Sequence, residues 1–217
     1  MEKKQAVLVN PEVLDPNHQS DPEDSASENE EDPLVEKIEA DEDLLADEKD
    51  DVEEIDLVHC RIQSIEPLKL GRFTQLQRLC LRQNQISHTE GAFPENLADT
   101  LRDLDLYDNL ISHIKGFEGL VNLTSLDLSF NKIKHIKRLE TLKKLTDLYF
   151  VQNKISTIEG LEGLGKLRNL ELGGNRIREI QGLDTLTGLE ELWLGKNKIK
   201  EIKVGLQIIP HVFTQDY

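Results

Sequence analysis

Three histidines, His88, His113 and His135, each stand four residues after an asparagine, Asn84, Asn109 and Asn131. If the segments carrying them stack as neighbouring strands, the imidazoles line up about 5 Å apart, close enough to share a metal ion. The same place then reads Thr157, Glu179 and Glu201, the composition of a tolerant exposed position. The preceding Ser87 and Ser112 supply no carboxylate to orient a ring, so no metal site is expected. Cys80 lies between Arg78 and Arg82 at alternate positions of an extended segment, where cations lower a thiol's pKa. No base partner accompanies it. The glycine-loop, dinucleotide, zinc-protease and nucleophile-elbow spacings are all absent. Neither catalysis nor a cofactor is expected; the chemistry to look for is recognition.

The elements that position these residues are repeats. The template L-x-x-L-x-L-x-x-N-x-I-x-x-I starts at Val52, Leu76, Leu101, Leu123, Leu145, Leu167 and Leu189. Its Asn place holds Cys60, Asn84, Asn109, Asn131, Asn153, Asn175 and Asn197. This is the leucine-rich-repeat signature, including its Asn/Cys alternation. In L-x-L both apolar side chains point the same way, because a strand has a period of two. The turn that follows buries backbone polar groups, and an Asn amide both donates to and accepts from such groups. Gly160 and Gly182 permit the return turn. The expected fold is an α/β solenoid, a right-handed coil of about seven repeats over 52–202 with one parallel strand per repeat on the concave face. Two longer spacers, "PLKLGRFTQ" and "TEGAFPENLADT", read as loops on the other side, with polar Thr89 in an Ile place.

The residues inside L-x-L are free to vary. They run Asp56, Cys80, Asp105, Asp127, Tyr149, Glu171, Trp193. Tyr107, Asp108, Phe130, Gln152 and Lys196 flank them on the outward side. Aromatic anchors among acids form a protein-binding composition, and they call for a partner with basic and apolar patches. Asp105, Asp127, Tyr149, Glu171 and Trp193 are the candidate partner-binding residues.

Charge divides the chain. Of its 217 residues, the first 54 hold 21 Asp/Glu and 4 Lys/Arg, against totals of 42 and 26. The body is near neutral and the arm is strongly acidic, which disfavours nucleic acid and anionic membranes as partners. Residues 1–32 are too poor in apolar side chains to offset chain entropy, so an unstructured acidic arm is expected there. Ser20, Ser25 and Ser27 each have Glu three residues on, the spacing of acidophilic phosphorylation sites. Val35, Ile38 and Leu45 suggest a capping helix over 33–51. Two cysteines without C-x-x-C and no signal or membrane-spanning run point to a reducing intracellular setting.

The runs "LCLRQNQI", "LDLYDN", "LDLSFNKI", "NKISTIEGL", "LELGGNRIR" and "LGKNKI", in this order, resemble the leucine-rich-repeat regulatory subunit of protein phosphatase 1, the regulatory-subunit-seven type. The resemblance implies a non-catalytic protein of nucleus and cytoplasm that binds the phosphatase catalytic subunit through the concave face. The residues it implicates are Asp127, Tyr149, Glu171 and Trp193. Phosphatase regulators that use a basic-Val-x-Phe peptide offer no parallel, since "KVGL" at 203–206 lacks the aromatic. The family carries about a dozen repeats and a C-terminal cap. Here the pattern falters after Ile202, leaving 203–217 as a divergent tail. That resembles a truncated or alternatively spliced form, with an open edge expected on the last strand. The repeats alone also suit a general intracellular interaction scaffold with another partner.

Overall fold

The computed structural model describes residues 5–9, 44–200 and 211–213. Ser20, Ser25 and Ser27 lie outside them. The strands are β1 (Gln5–Val9), β2 (Glu54–Val58), β3 (Arg78–Cys80), β4 (Asp103–Asp105), β5 (Ser125–Asp127), β6 (Asp147–Tyr149), β7 (Asn169–Glu171), β8 (Glu191–Trp193) and β9 (His211–Phe213). They form one sheet in strict chain order, every neighbouring pair parallel. Each repeat therefore contributes one strand and one return path, which makes a solenoid.

Equal template places lie opposite each other. Leu79, Leu104, Leu126, Leu148, Leu170 and Leu192 are consecutive register partners, and all are fully buried. The second apolar place, Leu81, Leu106, Leu128, Phe150, Leu172 and Leu194, is equally dry. Behind these two rows pack the later places of each coil, such as Ile133, Ile136, Leu139 and Leu142, in one continuous core. Among the described residues the return paths contain little helix: one four-residue turn, Leu97–Thr100 (α1), and two 3-10 turns at Glu66–Leu68 and Leu70–Arg72. These fall in or beside the two longer spacers. The extra residues bring Leu68, Leu70, Phe73 and Leu97 into the core. Thr89, polar in an Ile place, is buried with its hydroxyl donating to the Lys115 carbonyl at 2.7 Å.

The asparagine ladder joins each coil to the one before it. Oδ1 of Asn131 accepts from the Ile111 N–H at 2.9 Å, and its Nδ2 donates to the carbonyls of Leu106, Leu128 and Ser129. Asn84, Asn109, Asn153, Asn175 and Asn197 repeat this scheme one coil apart. The rungs run from side chain to backbone, so every Asn satisfies groups that the tight turn would otherwise bury unpaired. At the first rung, Cys60 turns its Sγ to the Val58 carbonyl at 3.5 Å. The residue before each Asn has a positive φ, as at Gln83, Asp108, Phe130 and Gln152. The ladder holds that left-handed corner even for residues that disfavour it.

The ends depart from expectation. Gln5–Val9 falls in the arm expected to be unstructured, yet it pairs with β2 from Gln5↔Glu54 to Val9↔Val58. Q-A-V-L-V is a short apolar, partly β-branched run inside an acidic arm, and β2 otherwise presents an unpaired edge. At the other end, the open edge expected on β8 is paired with β9, from within the divergent tail. Of the capping helix over 33–51, residues 33–43 lie outside the described ones, and 44–51 form turns rather than helix. Leu45 has no apolar residue at 48 or 49 to continue a helical face. It still caps the first coil. Its side chain is buried and its carbonyl accepts from Arg72 Nη2, while Arg72 Nη1 holds the Glu48 carbonyl and Asp50.

Candidate protein-interaction face

Register assembles the variable residues. Asp56, Cys80, Asp105, Asp127, Tyr149, Glu171 and Trp193 are consecutive partners across β2 to β8, one row on the side of the sheet away from the core. A second outward row, Arg78, Asp103, Ser125, Asp147, Asn169 and Glu191, runs beside it. The spacing of parallel strands, about 4.8 Å, sets these side chains at contact distance.

The row is not uniform. Asp127, Tyr149, Glu171 and Trp193 are half-buried. Asp127 accepts from the Ser129 N–H at 2.8 Å, the Tyr149 hydroxyl meets Asn169 Nδ2 at 3.4 Å, and Trp193 Nε1 donates to Glu191 at 3.4 Å. Asp105, expected to face a partner, is buried instead. Arg82 Nη1 reaches over it to Oδ2 at 3.0 Å, and Oδ1 accepts from the Tyr107 N–H. The sequence places Asp105 on the outward side correctly but contains nothing to reveal the arginine lid. Asp105 therefore positions Arg82 rather than presenting its own carboxylate.

That arginine begins a stack that spacing alone does not single out. Its guanidinium lies 4.1 Å above the Tyr107 ring, which packs on Phe130 with centroids 4.7 Å apart. Phe130 remains 40% exposed, one of the larger apolar side chains open to solvent. The stack borders the acidic row and adds an aromatic surface to it. Its signal in the sequence is two aromatics, Tyr107 and Phe130, at the outward places of successive repeats.

Cys80 corrects a second expectation. Burial, aided by the Asp105 and Asp56 charges, pushes its thiol up to about 12, overriding the cations expected to lower it. Only 3% of the residue is exposed, so it is an inert packing group. His88 and His113 hydrogen-bond to Ser87 and Ser112, and His135 pairs with Glu159. Among the described residues no cluster of His, Cys, Asp or Glu is arranged to hold a metal.

Burial also raises the carboxyl pKa of Asp127 and Glu171; for Glu171 the Asp127 charge adds to it, and for Asp127 the Asp105 charge does. Asp103 is raised for the same first reason, against the pull of Arg78. A carboxyl whose folded pKa lies above its unfolded one contributes stability below the unfolded pKa and loses it as pH rises through the folded one. At neutral pH these ionised groups therefore weaken the fold. Asp127→Asn keeps the Oδ1 acceptor for Ser129 and removes the charge. Its thermal midpoint at pH 7 is expected to rise by a few degrees, with the gain vanishing as pH falls below about 3.9, where an unperturbed Asp protonates. A midpoint lowered at pH 7 would refute this reading of the row.

Leucine-rich-repeat family models match residues 122–163 and 165–206, described as leucine rich repeats (2 copies), and residues 94–133, described as leucine rich repeat. Over 92 residues the chain is 56% identical to the protein phosphatase 1 regulatory subunit SDS22 of Schizosaccharomyces pombe, covering 42% of this chain and 26% of that protein. It is 50% identical over 92 residues to the subunit of the same name in Saccharomyces cerevisiae, covering 41% and 26%. The matches thus span about a quarter of these relatives' length. Among solved structures, an internalin (inlF) of Listeria monocytogenes superposes with a TM-score of 0.62 at 27% identity, covering 76% of this chain and 48% of that one. With family models spanning more than half of its 217 residues and parallel strands stacked one per repeat, the chain belongs to the leucine-rich-repeat family.

Proposed function

We propose that the chain is a non-catalytic regulatory or targeting subunit of protein phosphatase 1 and holds the catalytic subunit on its concave strand face. The observation that carries this reading is the in-register row Asp127, Tyr149, Glu171, Trp193 in a chain that is 50–56% identical to SDS22 subunits over 92 of its residues. Three features make the row suited to a protein surface. Its strands are short and rigidly backed, so the side chains are held in place before a partner arrives. Its half-buried aromatics offer apolar area at little entropic cost. Its carboxylates are kept partly desolvated, which strengthens their attraction to Lys or Arg on a partner.

The test is quantitative binding of the full chain to the phosphatase catalytic subunit by calorimetry. The wild-type chain is expected to bind. Tyr149→Ala combined with Trp193→Ala is expected to weaken binding on the order of 10- to 100-fold, the loss typical of two interface aromatics. Circular dichroism confirms that the double variant stays folded, since neither residue belongs to the core. An unchanged affinity in that variant, or no binding by the wild type, would defeat the proposal.

A further inference from the structure

Away from the strands, the fourth coil departs from both of its neighbours at the return turn. Gly116, Gly160 and Gly182 occupy the same place in their repeats, all with positive φ. In the repeat between the first two, that place holds Arg138, with φ +60. Glycine is there for a reason: a Cβ at Gly116 or Gly160 would lie 2.1 or 2.2 Å from a carbonyl oxygen of the coil before. An arginine at such a corner is costly, and a retained costly conformation points to use.

The use is suggested by what surrounds it. Arg138 lines an open groove of about 560 Å³ between the third and fourth coils, together with His113, Lys115, Lys134, His135 and Lys137. No carboxylate lines it. Lys115 and Arg138 make ion pairs with Glu90 and Glu118 at 3.1 and 3.6 Å, and His135 Nδ1 hydrogen-bonds with Glu159 at 2.9 Å. Among the described residues no carboxylate pairs with Lys134 or Lys137. With those partners counted, Lys134 and Lys137 leave the groove locally positive on a chain of net charge -16. Such a chain repels a long polyanion, yet a short, dense anion senses mainly the local cations within a Debye length. Guanidinium and ammonium groups converging on one groove match the oxygens of a phosphate.

We infer that this groove is a second binding site, separate from the strand row, and that it takes a phosphorylated segment of a protein partner. Lys134 and Lys137 supply charge, and Arg138, held in the glycine place, supplies the fork that grips the phosphate.

The experiment titrates the full chain with a fluorescent peptide bearing two phosphoserines. Its unphosphorylated twin, inorganic phosphate and a short single-stranded RNA serve as competitors. The phosphopeptide is expected to bind at least tenfold tighter than its twin and to weaken as salt rises. Lys134→Ala with Lys137→Ala is expected to lower its affinity at least tenfold. Arg138→Gly is expected to lower it similarly while raising the thermal midpoint, because the corner regains glycine; a packing residue would not separate the two readouts in that direction. The Tyr149→Ala, Trp193→Ala variant is expected to bind the peptide as the wild type does, so this site and the strand face succeed or fail independently. Equal binding of the two peptides, complete displacement by equimolar inorganic phosphate, preference for RNA, or wild-type affinity in Arg138→Gly would each overturn the inference.

Discussion

Asn131→Ala is expected to lower the unfolding free energy by about 3–5 kcal/mol, from one buried N–H left without an acceptor and three carbonyls that each lose one of two donors. The side chain occupies the middle of the ladder. Its removal strips the Ile111 N–H of its acceptor and the carbonyls of Leu106, Leu128 and Ser129 of a donor. Water cannot enter easily, because Asn131 is 7% exposed and the apolar rows around it are dry. The Phe130 corner, with φ +54, also loses the bonds that hold it. Asn197→Ala removes a rung of the same kind where the coil is only partly buried, so solvent replaces some of the lost bonds and the effect should be smaller. Urea unfolding of the two variants checks both magnitude and order. A loss below about 1 kcal/mol for Asn131→Ala, the net worth of one ordinary hydrogen bond, would show that the rungs are not structural necessities.

The second large effect is expected at Gly160→Ala, about 3 kcal/mol or more. Two costs combine. The backbone there has φ +66, which an L-residue adopts at a cost of roughly 1–2 kcal/mol. The new Cβ would also sit 2.2 Å from the Ile136 carbonyl oxygen, which lies on backbone and cannot rotate away. Relieving that contact means separating two coils whose Ile136 and Ile158 are packed in one core. Gly119→Ala is the matched control: nothing lies within 4 Å of its added Cβ, and its φ is not in the left-handed region. Differential scanning calorimetry should find the control near wild type and Gly160→Ala several degrees lower. Equal midpoints would mean that the coil yields at the return turn.

Much of this protein is legible in its letters, because a repeat states each structural demand several times. The Leu and Ile places identify the core, since only one side of a strand or turn can be dry and the same places are apolar in each copy. The Asn place identifies the ladder, since it falls where the chain must turn inside the coil. The outward row was equally open to reading: a period of two leaves Asp127, Tyr149, Glu171 and Trp193 only one side to occupy. The ends were harder. Gln5–Val9 and His211–Phe213 carry too little of the template to be aligned, and their pairing depends on the edges that β2 and β8 leave open. Capping over 44–51 uses a single buried leucine and an arginine 27 residues away, a contact with no period to betray it.

Side-chain environment was decided in three dimensions. Asp105 and Cys80 occupy the same repeat place as Tyr149, yet Asp105 is closed over by Arg82 and the Cys80 thiol is pushed up to about 12. The cause is distance across coils: residues about 22 positions apart become neighbours, and their size and charge determine which carboxylate is exposed and which is covered. The Arg138 groove has the same origin. Its arginine stands out in sequence against Gly116, Gly160 and Gly182, but the lysines and histidines that give it meaning come from two separate coils. Periodic sequence is sufficient for the solenoid, because each coil's fold depends on local alternation and nearest-neighbour burial. The electrostatics of its faces required the stacked coils, because charge acts through space and has no memory of the period.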